Sequence, residues 1–228
     1  MMKYQAILFD LGGTLTYPFY WSEYAEVRRK IATVLSTPED EITRIWREEG
    51  HQLGTGVIRT YPDFIRYICK QLGIEVEAGR INTAADIAFE MTRRKVMVPR
   101  DGALDVLTYL KANGYKTGLI SDCGPDVPAL WDETPFAPFI DVTVFSCKAR
   151  LVKDDTRIFE LAIDKLGVKP EKIIYVADGM RKELSSAAEL GMWSLQIRVP
   201  GEADENPLNE EWNGPRISSL TELIPLLD

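Results

Sequence analysis

The second half of the chain alternates between strand-like and helix-like patterns, and this alternation limits the fold more than any other feature of the sequence. Short apolar runs of the strand type are separated by stretches with apolar residues at helical spacing, several of which end at a glycine. The predicted strands are residues 4–9, 115–120, 142–145, 173–177 and 193–197, and the predicted helices between them are 103–113, 156–166 and 182–190. Such alternation is typical of a parallel sheet with helices on both faces. The sequence therefore predicts a doubly wound α/β fold.

Residues 17–97 interrupt this alternation, because they carry helical patterns and no convincing strand. Four helices are predicted there, at 21–35, from Pro38 onward, at about 64–72 and at about 83–95. Helices joined by short connections pack as antiparallel bundles, so residues 17–97 are predicted to form a small helical-bundle domain, called the cap below. Residues 1–16 and 98–228 then form the α/β core, whose last segment, 218–227, is predicted to be a closing helix. Within the cap, the Gly- and Thr-containing segment 53–59 is expected to be a mobile loop.

The charge and the apolar pattern of the chain argue against two classes of partner. With 228 residues and a formal net charge of −8, it lacks the basic surface that nonspecific binding to nucleic acid or anionic membrane requires. No apolar run reaches the roughly 18 residues that cross a bilayer, and the N-terminus lacks the apolar core of a signal peptide. The three cysteines are an odd number without metal-type spacing, which favours a reducing compartment. We therefore expect a cytoplasmic protein that binds neither nucleic acid nor membrane.

A single histidine, His51, restricts the available chemistry. A Ser-His-Asp relay or a metal site with several histidines has almost no residues to use. Catalysis by this chain must run mainly on carboxylates, lysine, hydroxyl groups and a hard metal ion.

Polar side chains follow several of the predicted strands. Asp10 follows the first strand, Ser121 closes the second, and Asp178 follows a later one. Because the carboxyl ends of parallel strands meet at one edge of the sheet, we expect these side chains to lie close together. Each has a structural explanation when taken singly, such as a glycine turn or a helix N-cap. Together they predict a ligand site, at which Thr14 could donate a hydrogen bond to an anion.

The same residues occur in the order of four known motifs. The motifs read Phe9-Asp10-Leu11-Gly12-Gly13-Thr14-Leu15, then Ile120-Ser121-Asp122, then Lys153 ahead of a helix, then Ala177-Asp178-Gly179-Met180-Arg181-Lys182-Glu183. In this order, with helices inserted after the first strand, the chain resembles the haloacid dehalogenase-like (HAD) hydrolases, most of which are magnesium-dependent phosphatases. The resemblance covers nearly the whole chain. It implies a Rossmann-like core with an α-helical cap.

The resemblance also implies a nucleophile and a metal site. Asp10 is the residue that attacks phosphorus and forms an aspartyl phosphate, which water then hydrolyses. The resemblance implies that a magnesium ion is held by Asp10, Asp178 and the carbonyl of Gly12. Glu183 corresponds to the second acidic residue of the family's fourth motif. Magnesium is therefore the expected cofactor.

Binding of the phosphoryl group is implied for the remaining motif residues. The hydroxyl of Ser121 and the amide of Asp122 bind the transferring group, and Lys153 screens the nucleophile from the phosphoryl oxygens. Thr14 in the first motif and Arg59 in the cap loop are further candidates for contact with the substrate, since a cap loop that closes over the substrate can meet an anionic group. The expected partner is a small phosphorylated molecule, and the chain is expected to be a monomer or a homodimer.

Gly12 is the main departure from the family pattern. Family phosphatases have at this position a second aspartate that acts as general acid and base, and loss of such a group typically costs about 10² to 10⁴ in rate. Three outcomes follow: a phosphatase that needs no acid from this position, a 2-haloacid dehalogenase or phosphonate hydrolase, and a weakly active or inactive protein that binds a ligand or a protein. We expect the first, because Asp10, Ser121, Lys153 and Asp178 are all present. Lys182, a second departure, would place a positive charge near the metal if it points inward.

Overall fold

The computed structural model describes residues 3–202 and 208–227 and contains a six-stranded sheet. The strands are β1 Ala6–Phe9, β2 Lys116–Ser121, β3 Val142–Phe145, β4 Ile173–Ala177, β5 Trp193–Ile197 and β6 Arg216–Ile217. Their order in space is β3-β2-β1-β4-β5-β6, and every neighbouring pair is parallel. The chain steps outward from β1 to one side and then returns to the other side at β4, so a topological switch point lies between β1 and β4. The predicted doubly wound α/β fold is confirmed.

Helices form the remaining layers. The helices within residues 17–97 are α1 Trp21–Leu35, α2 Glu39–Glu49, α3 His51–Gly54, α4 Tyr61–Gln71 and α5 Ala78–Val96. The helices that follow are α6 Ala103–Ala112, α7 Asp126–Leu130, α8 Ser146–Ala149, α9 Arg157–Leu166 and α10 Glu183–Glu189. None of the helices in the described ranges combines the length and the apolar run that crossing a bilayer requires.

The apolar side chains divide into separate clusters on the two faces of the sheet and inside the cap. Alternate residues of β1 point to opposite faces, as the two-residue repeat of a strand requires. Ile7 and Phe9 pack with α6, whereas Ala6 and Leu8 pack with α9 and α10. The cap helices bury a cluster of their own, centred on Phe64. Both faces of β1 are therefore covered, which leaves its carboxyl end as the place where polar groups gather.

The main differences from the prediction are the start of one helix, the type of another and one additional strand. The fourth cap helix begins at Ala78, several residues before the predicted start, because Ile81 is buried and Arg80 donates a 2.7 Å hydrogen bond to the Val34 carbonyl. The predicted closing helix is a 3-10 helix, Leu220–Leu226, with Pro225 inside it. The short strand β6 was not predicted, since two residues carry no readable pattern.

Two connections tie the cap to the core. Where the chain leaves and re-enters the core, Thr16 and Pro99 form an antiparallel bridge, and the Arg100 amide donates to the Leu15 carbonyl at 2.8 Å. On the other side of the cap, the Ser146 hydroxyl donates to the carbonyl of Gly54 at 2.7 Å. The cap therefore rests on the carboxyl edge of the sheet at two separated points.

A buried carboxylate, Asp126, adds a third contact between core and cap. Asp126 begins α7 and is 3% exposed, and its carboxylate lies in hydrogen-bonding reach of the hydroxyls of Thr92 and Tyr61 from the cap. Burial raises the pKa of Asp126 above its ordinary value, and these hydroxyls only partly oppose the shift. Because the folded pKa is raised, the group stabilises the folded state below its unfolded pKa, and this contribution is lost as pH rises through the folded pKa.

We expect Asp126→Asn to change how stability depends on pH. The neutral amide keeps an acceptor for the cap hydroxyls and removes the cost of a buried charge. The free energy of unfolding of Asp126→Asn relative to the original chain should therefore increase as pH rises from below about 4, the ordinary Asp pKa, to neutrality. Urea denaturation at a series of pH values measures this difference. A difference between the two proteins that is constant over this range would contradict the assignment.

Candidate active site

Asp10 stands at the end of the central strand, on a loop that the sheet holds in place. Its amide donates to the Val176 carbonyl of β4 at 3.0 Å, which continues the sheet pairing by one residue beyond β1. The chain then makes a short irregular helical turn, Leu11–Leu15. The Asp10 side chain is almost fully buried, and burial raises its pKa to about 6 although the charge of Lys153 opposes the shift.

Lys153 lies between two carboxylates. Its ammonium forms ion pairs with Asp10 and, at 2.6 Å, with Glu183, and its side chain is buried. Its backbone amide donates to both carboxylate oxygens of Asp122 at 3.2 Å. Burial alone would lower the pKa of Lys153, but the charges of the carboxylates outweigh burial and raise it. The lysine is therefore a fixed positive charge beside Asp10.

Glu183 is fully buried and accepts hydrogen bonds on both oxygens. One oxygen accepts the amides of Gly179 at 3.0 Å and Met180 at 2.8 Å, and the other accepts the Lys153 ammonium and, at 2.7 Å, the Tyr175 hydroxyl. Burial raises the pKa of Glu183, but Lys153 and the other donors more than offset this and lower it. Glu183 thus orients Lys153. Its role as a metal ligand stays a prediction, which would require one of these bonds to be replaced.

Asp178 closely approaches the segment Leu11–Leu15 that follows Asp10, and Gly13 makes this possible. Gly13 has φ +78°, and a Cβ atom built on it would lie 2.2 Å from the Asp178 Oδ2 atom. Burial, followed by the charges of Glu183 and Asp10, raises the pKa of Asp178 well above its ordinary value. Asp178 therefore adds a third carboxyl group near the two, Asp10 and Glu183, that Lys153 contacts directly.

We expect Gly13→Ala to damage the site, and Gly12→Ala to be its matched control. At Gly13 the left-handed backbone alone costs a side chain about 1–2 kcal/mol, and the added methyl displaces Asp178. A displacement of about 1 Å in a catalytic group can cost about 10² in rate. Gly12 has an ordinary backbone, φ −77° and ψ 125°, and an added Cβ would meet only the Phe19 ring, at 3.5 Å.

Chemical denaturation and phosphate-release kinetics on both variants check this. Gly13→Ala should lose both stability and activity, whereas Gly12→Ala should keep its stability or gain about 0.4–1 kcal/mol. Equal behaviour of the two variants would show that the close approach of Gly13 and Asp178 is unimportant.

The space beside Gly12 is apolar. The Phe19 ring lies against Gly12, stacks on Tyr24 with a centroid separation of 6.0 Å, and has the Lys95 ammonium 5.7 Å from its centroid. The sequence offered no means of pairing Phe19 with Gly12, because an aromatic residue in a connecting segment has no motif. Neither Gly12 nor Phe19 can donate or accept a proton.

The other predicted substrate-binding residues lie in different settings. Ser121 ends β2 and is buried, with its hydroxyl near the Cys123 thiol. Asp122 is exposed and caps the Lys153 amide. Thr14 is fully buried, and its hydroxyl has no hydrogen-bond partner in the described part of the chain. Arg59 is not among the contacts of Asp10 or Lys153 and lines a separate cleft.

Arg100 supports the segment Leu11–Leu15 that follows Asp10, a contact that the sequence did not predict. Its buried guanidinium donates to the Gly13 carbonyl at 2.6 Å and forms an ion pair with Glu202 at 3.0 Å. An arginine after a proline at a domain junction gave no signal in the sequence. Tyr175 was missed for a related reason, because a tyrosine within a buried strand reads as a packing residue.

Lys182 is not part of the buried cluster. Its side chain is exposed at the start of α10. The possibility raised by the sequence, that Lys182 adds a positive charge beside the metal, does not apply to this arrangement.

The donor atoms near Asp10 fit magnesium. Across residues 3–202 and 208–227, no group of three or more acidic, histidine or cysteine side chains is placed to share an ion. Two carboxylates, Asp10 and Asp178, with the backbone carbonyl of Gly12, are the donors implied by the motifs, and magnesium is commonly held by one or two carboxylates while it keeps several waters. Burial raises the pKa of both aspartates and the charge of Glu183 adds to the shift, so a divalent cation would stabilise their ionised forms.

The fold is a parallel α/β core beneath a helical cap, with a buried aspartate–lysine pair at the carboxyl edge of the sheet. This combination is typical of capped α/β hydrolases. The model of the haloacid dehalogenase-like hydrolase family matches residues 4–191. The chain belongs to this family and is a hydrolase.

Individual relatives span the whole length of the chain. It is 25% identical to a glyceraldehyde 3-phosphate phosphatase of Methanocaldococcus jannaschii, over 98% of this chain and 96% of that protein. It is also 25% identical to (S)-2-haloacid dehalogenase 4A of Burkholderia cepacia, over 98% of this chain and 94% of that protein. A HAD family enzyme of Bacteroides thetaiotaomicron, solved with magnesium and inorganic phosphate, superposes with a TM-score of 0.65 at 19% identity, covering 92% of this chain and 98% of that one. This last likeness shows the shared fold.

Proposed function

We propose that this chain is a magnesium-dependent phosphatase that acts on a small phosphorylated metabolite through an aspartyl phosphate on Asp10. The observation that carries the proposal is the ion pair between the buried Asp10 carboxylate and the Lys153 ammonium at the carboxyl edge of the sheet. A carboxylate is repelled by an anionic phosphate ester, and a positive charge held beside it reduces this repulsion. Relatives named as phosphatases of a small sugar phosphate support the same class of substrate.

In the proposed reaction a carboxylate oxygen of Asp10 attacks phosphorus, and the bond between phosphorus and the ester oxygen breaks. Lys153 keeps Asp10 ionised and offsets negative charge on the phosphoryl oxygens. The hydroxyl of Ser121 and the amide of Asp122 are the proposed donors to those oxygens. Water then hydrolyses the acyl phosphate, which releases inorganic phosphate and regenerates the Asp10 carboxylate.

The proposed metal site adds charge to this arrangement. Magnesium bound by Asp10, Asp178 and the Gly12 carbonyl would supply positive charge beside the phosphoryl group. Glu183 contributes indirectly, because it holds Lys153 in place through the 2.6 Å ion pair.

The proposed source of the proton for the leaving group is water. Gly12 carries no acid, and the adjacent Phe19 ring is apolar. The proposed phosphatase should therefore hydrolyse esters with acidic leaving groups, such as aryl phosphates, much faster than alkyl phosphates.

We expect Gly12→Asp to reduce this dependence on the leaving group. The backbone at Gly12 accepts a side chain, and a carboxyl group there would supply the missing proton, an effect typically worth about 10² to 10⁴ in rate. The gain should appear for alkyl phosphates and be small for p-nitrophenyl phosphate. Because Phe19 must move aside, Gly12→Asp with Phe19→Ala is the second variant to compare. If the rate of hydrolysis depends equally steeply on the leaving group in all variants, the missing acid at Gly12 is not the cause of that dependence.

The proposed function itself is tested by phosphate release from a panel of phosphorylated metabolites, with added magnesium and with EDTA. We expect at least one ester to be turned over, and only with magnesium. If no ester is hydrolysed faster than by an Asp10→Asn variant, the phosphatase proposal fails.

A second candidate function is hydrolysis of a 2-haloacid. It is favoured by the absence of an acid at Gly12 together with the apolar Phe19 ring, and by the likeness to a haloacid dehalogenase. In that reaction Asp10 displaces halide from carbon, which needs no magnesium. Release of halide from a 2-haloacid in EDTA would favour this function over the phosphatase.

A further inference from the structure

A second cleft lies at the boundary between the cap loop and the core. It has a volume of about 530 Å³ and is lined on the cap side by Gly56, Ile58 and Arg59. On the core side it is lined by α7 residues and by the segment that carries Lys148 and Arg150. None of the residues that line it belongs to the cluster of Asp10, Lys153, Asp178 and Glu183.

Among the described residues, the lining of this cleft includes three cations and no carboxylate. Three basic side chains, Arg59, Lys148 and Arg150, line it, and in the described residues none of them forms an ion pair. This concentration is unexpected in a chain with a net charge of −8. Unpaired cations facing one cavity produce a positive potential that attracts anions.

Another cleft of the same protein gives a contrast. It has a volume of about 340 Å³ and lies between α1 and α5. Its lysines are paired with its own glutamates, Lys30 with Glu26 and Lys95 with Glu23, both at 2.6 Å. That cleft is lined by three cations, Lys30, Lys95 and Arg94, and by two carboxylates that pair with the lysines. Most of its positive charge is therefore balanced, unlike that of the cleft beside the cap loop.

The backbone that presents Arg150 is unusual. Arg150 has φ +57°, a left-handed conformation that disfavours any residue with a Cβ atom, and its amide closes α8 on the Ser146 carbonyl at 2.7 Å. A glycine would fit this position more easily. The left-handed turn therefore sets the direction in which the Arg150 side chain leaves the end of α8.

Contacts between the cap loop and the core also hold the two walls of the cleft in place. The Ser146 hydroxyl donates to the Gly54 carbonyl, and Gly56 packs so closely on the Cys147 carbonyl that an added Cβ would lie 2.0 Å from it. Arg59 on the cap loop and Arg150 on the core are therefore held across the same space.

We propose that this cleft is a binding site for a small oxyanion with two or more negative charges, of the phosphate or phosphate-ester class, which Arg59, Lys148 and Arg150 hold together. Guanidinium groups suit this ligand, because their paired N–H donors match the oxygens of a phosphate. Since the cations come from both cap and core, the bound anion also holds the cap loop against the core. The anion is either a second phosphate of the substrate or a separate phosphorylated molecule.

The experiment is titration calorimetry of the full chain with inorganic pyrophosphate in EDTA. Without a divalent cation, the carboxylates around Asp10 repel pyrophosphate, so binding reports on the basic cleft and does not depend on the proposed phosphatase activity. The test variant is Arg59→Gln with Arg150→Gln. The matched control is Lys70→Gln with Lys165→Gln, which also removes one exposed cation from the cap and one from the core. Circular dichroism confirms that both double variants are folded.

We expect saturable binding by the original chain and by the control, and at least tenfold weaker binding by the test variant. No saturable binding by the original chain, or equal binding by all three proteins, would overturn the proposal. The source of the anion is then separated by kinetics with magnesium. If it is a second phosphate of the substrate, the test variant raises KM for bisphosphates and not for monophosphates. If it is a separate molecule, KM is unchanged for both.

Discussion

Asp10→Asn is expected to lower kcat for phosphate release by roughly 10³-fold or more, the largest effect on activity that the site predicts. The amide has nearly the same shape as the carboxylate but is a very poor nucleophile, and loss of a nucleophile costs up to about 10⁶ in other hydrolases. The substitution also removes one partner of the buried Lys153 ammonium, which keeps its ion pair with Glu183 at 2.6 Å. The variant should therefore remain folded.

Phosphate-release assays with saturating magnesium measure this effect. Asp154→Asn is the matched control, because Asp154 is exposed in the same segment as Lys153 and pairs with the surface residue Arg181, at 3.1 Å. The control should keep its activity. Turnover by Asp10→Asn within tenfold of the original chain would remove Asp10 from the role of nucleophile.

Lys153→Met is expected to cause the largest loss of stability. It leaves Asp10 and Glu183 buried beside Asp178 without their cation, and removal of one partner of a buried ion pair typically costs about 3–5 kcal/mol. Activity should be lost as well, since nothing then offsets the charge of the phosphoryl group. Urea denaturation measures the free energy of unfolding, and Lys165→Met, at an exposed position of α9, is the control.

A double variant separates charge from shape in this prediction. Lys153→Met with Glu183→Gln removes one of the uncompensated charges, so it should recover part of the stability that Lys153→Met alone loses. Such coupling between neighbouring buried residues commonly reaches about 0.5–3 kcal/mol. Effects of the two substitutions that simply add would contradict a direct ion pair.

Most of the sheet could be predicted from the sequence because its strands are buried and bounded by turn residues. Strands β4 and β5 begin and end where the apolar runs do. The start of α5 could not be predicted, because Gly79 weakens the helical pattern, and the contact of Arg80 with the Val34 carbonyl that offsets it spans distant parts of the chain. The closing segment was assigned the wrong helix type, since the effect of Pro225 depends on how the turn packs.

The features of the site also separate into those that the sequence could predict and those that it could not. The order of motifs was enough to place Asp10, Lys153, Asp178 and Glu183 at one edge of the sheet. It could not show that Glu183 holds Lys153, since that ion pair joins residues 30 positions apart in the sequence. The Phe19 ring beside Gly12 and the Arg100 support of Gly13 are likewise contacts between distant segments. These contacts set the hydrogen bonds and charges around the site. The sequence shows which residue types are present but not how they contact one another.

The most direct test of the central claim is reductive trapping of the phosphorylated enzyme. The protein is mixed rapidly with magnesium and p-nitrophenyl phosphate, quenched over a time series, treated with borohydride and digested for mass spectrometry. An acyl phosphate on Asp10 is reduced to homoserine, so we predict homoserine at position 10 during turnover, and none without substrate or in Asp10→Asn. Continued phosphate release with position 10 unmodified at every time point, or trapping at a different residue, would contradict an aspartyl phosphate on Asp10.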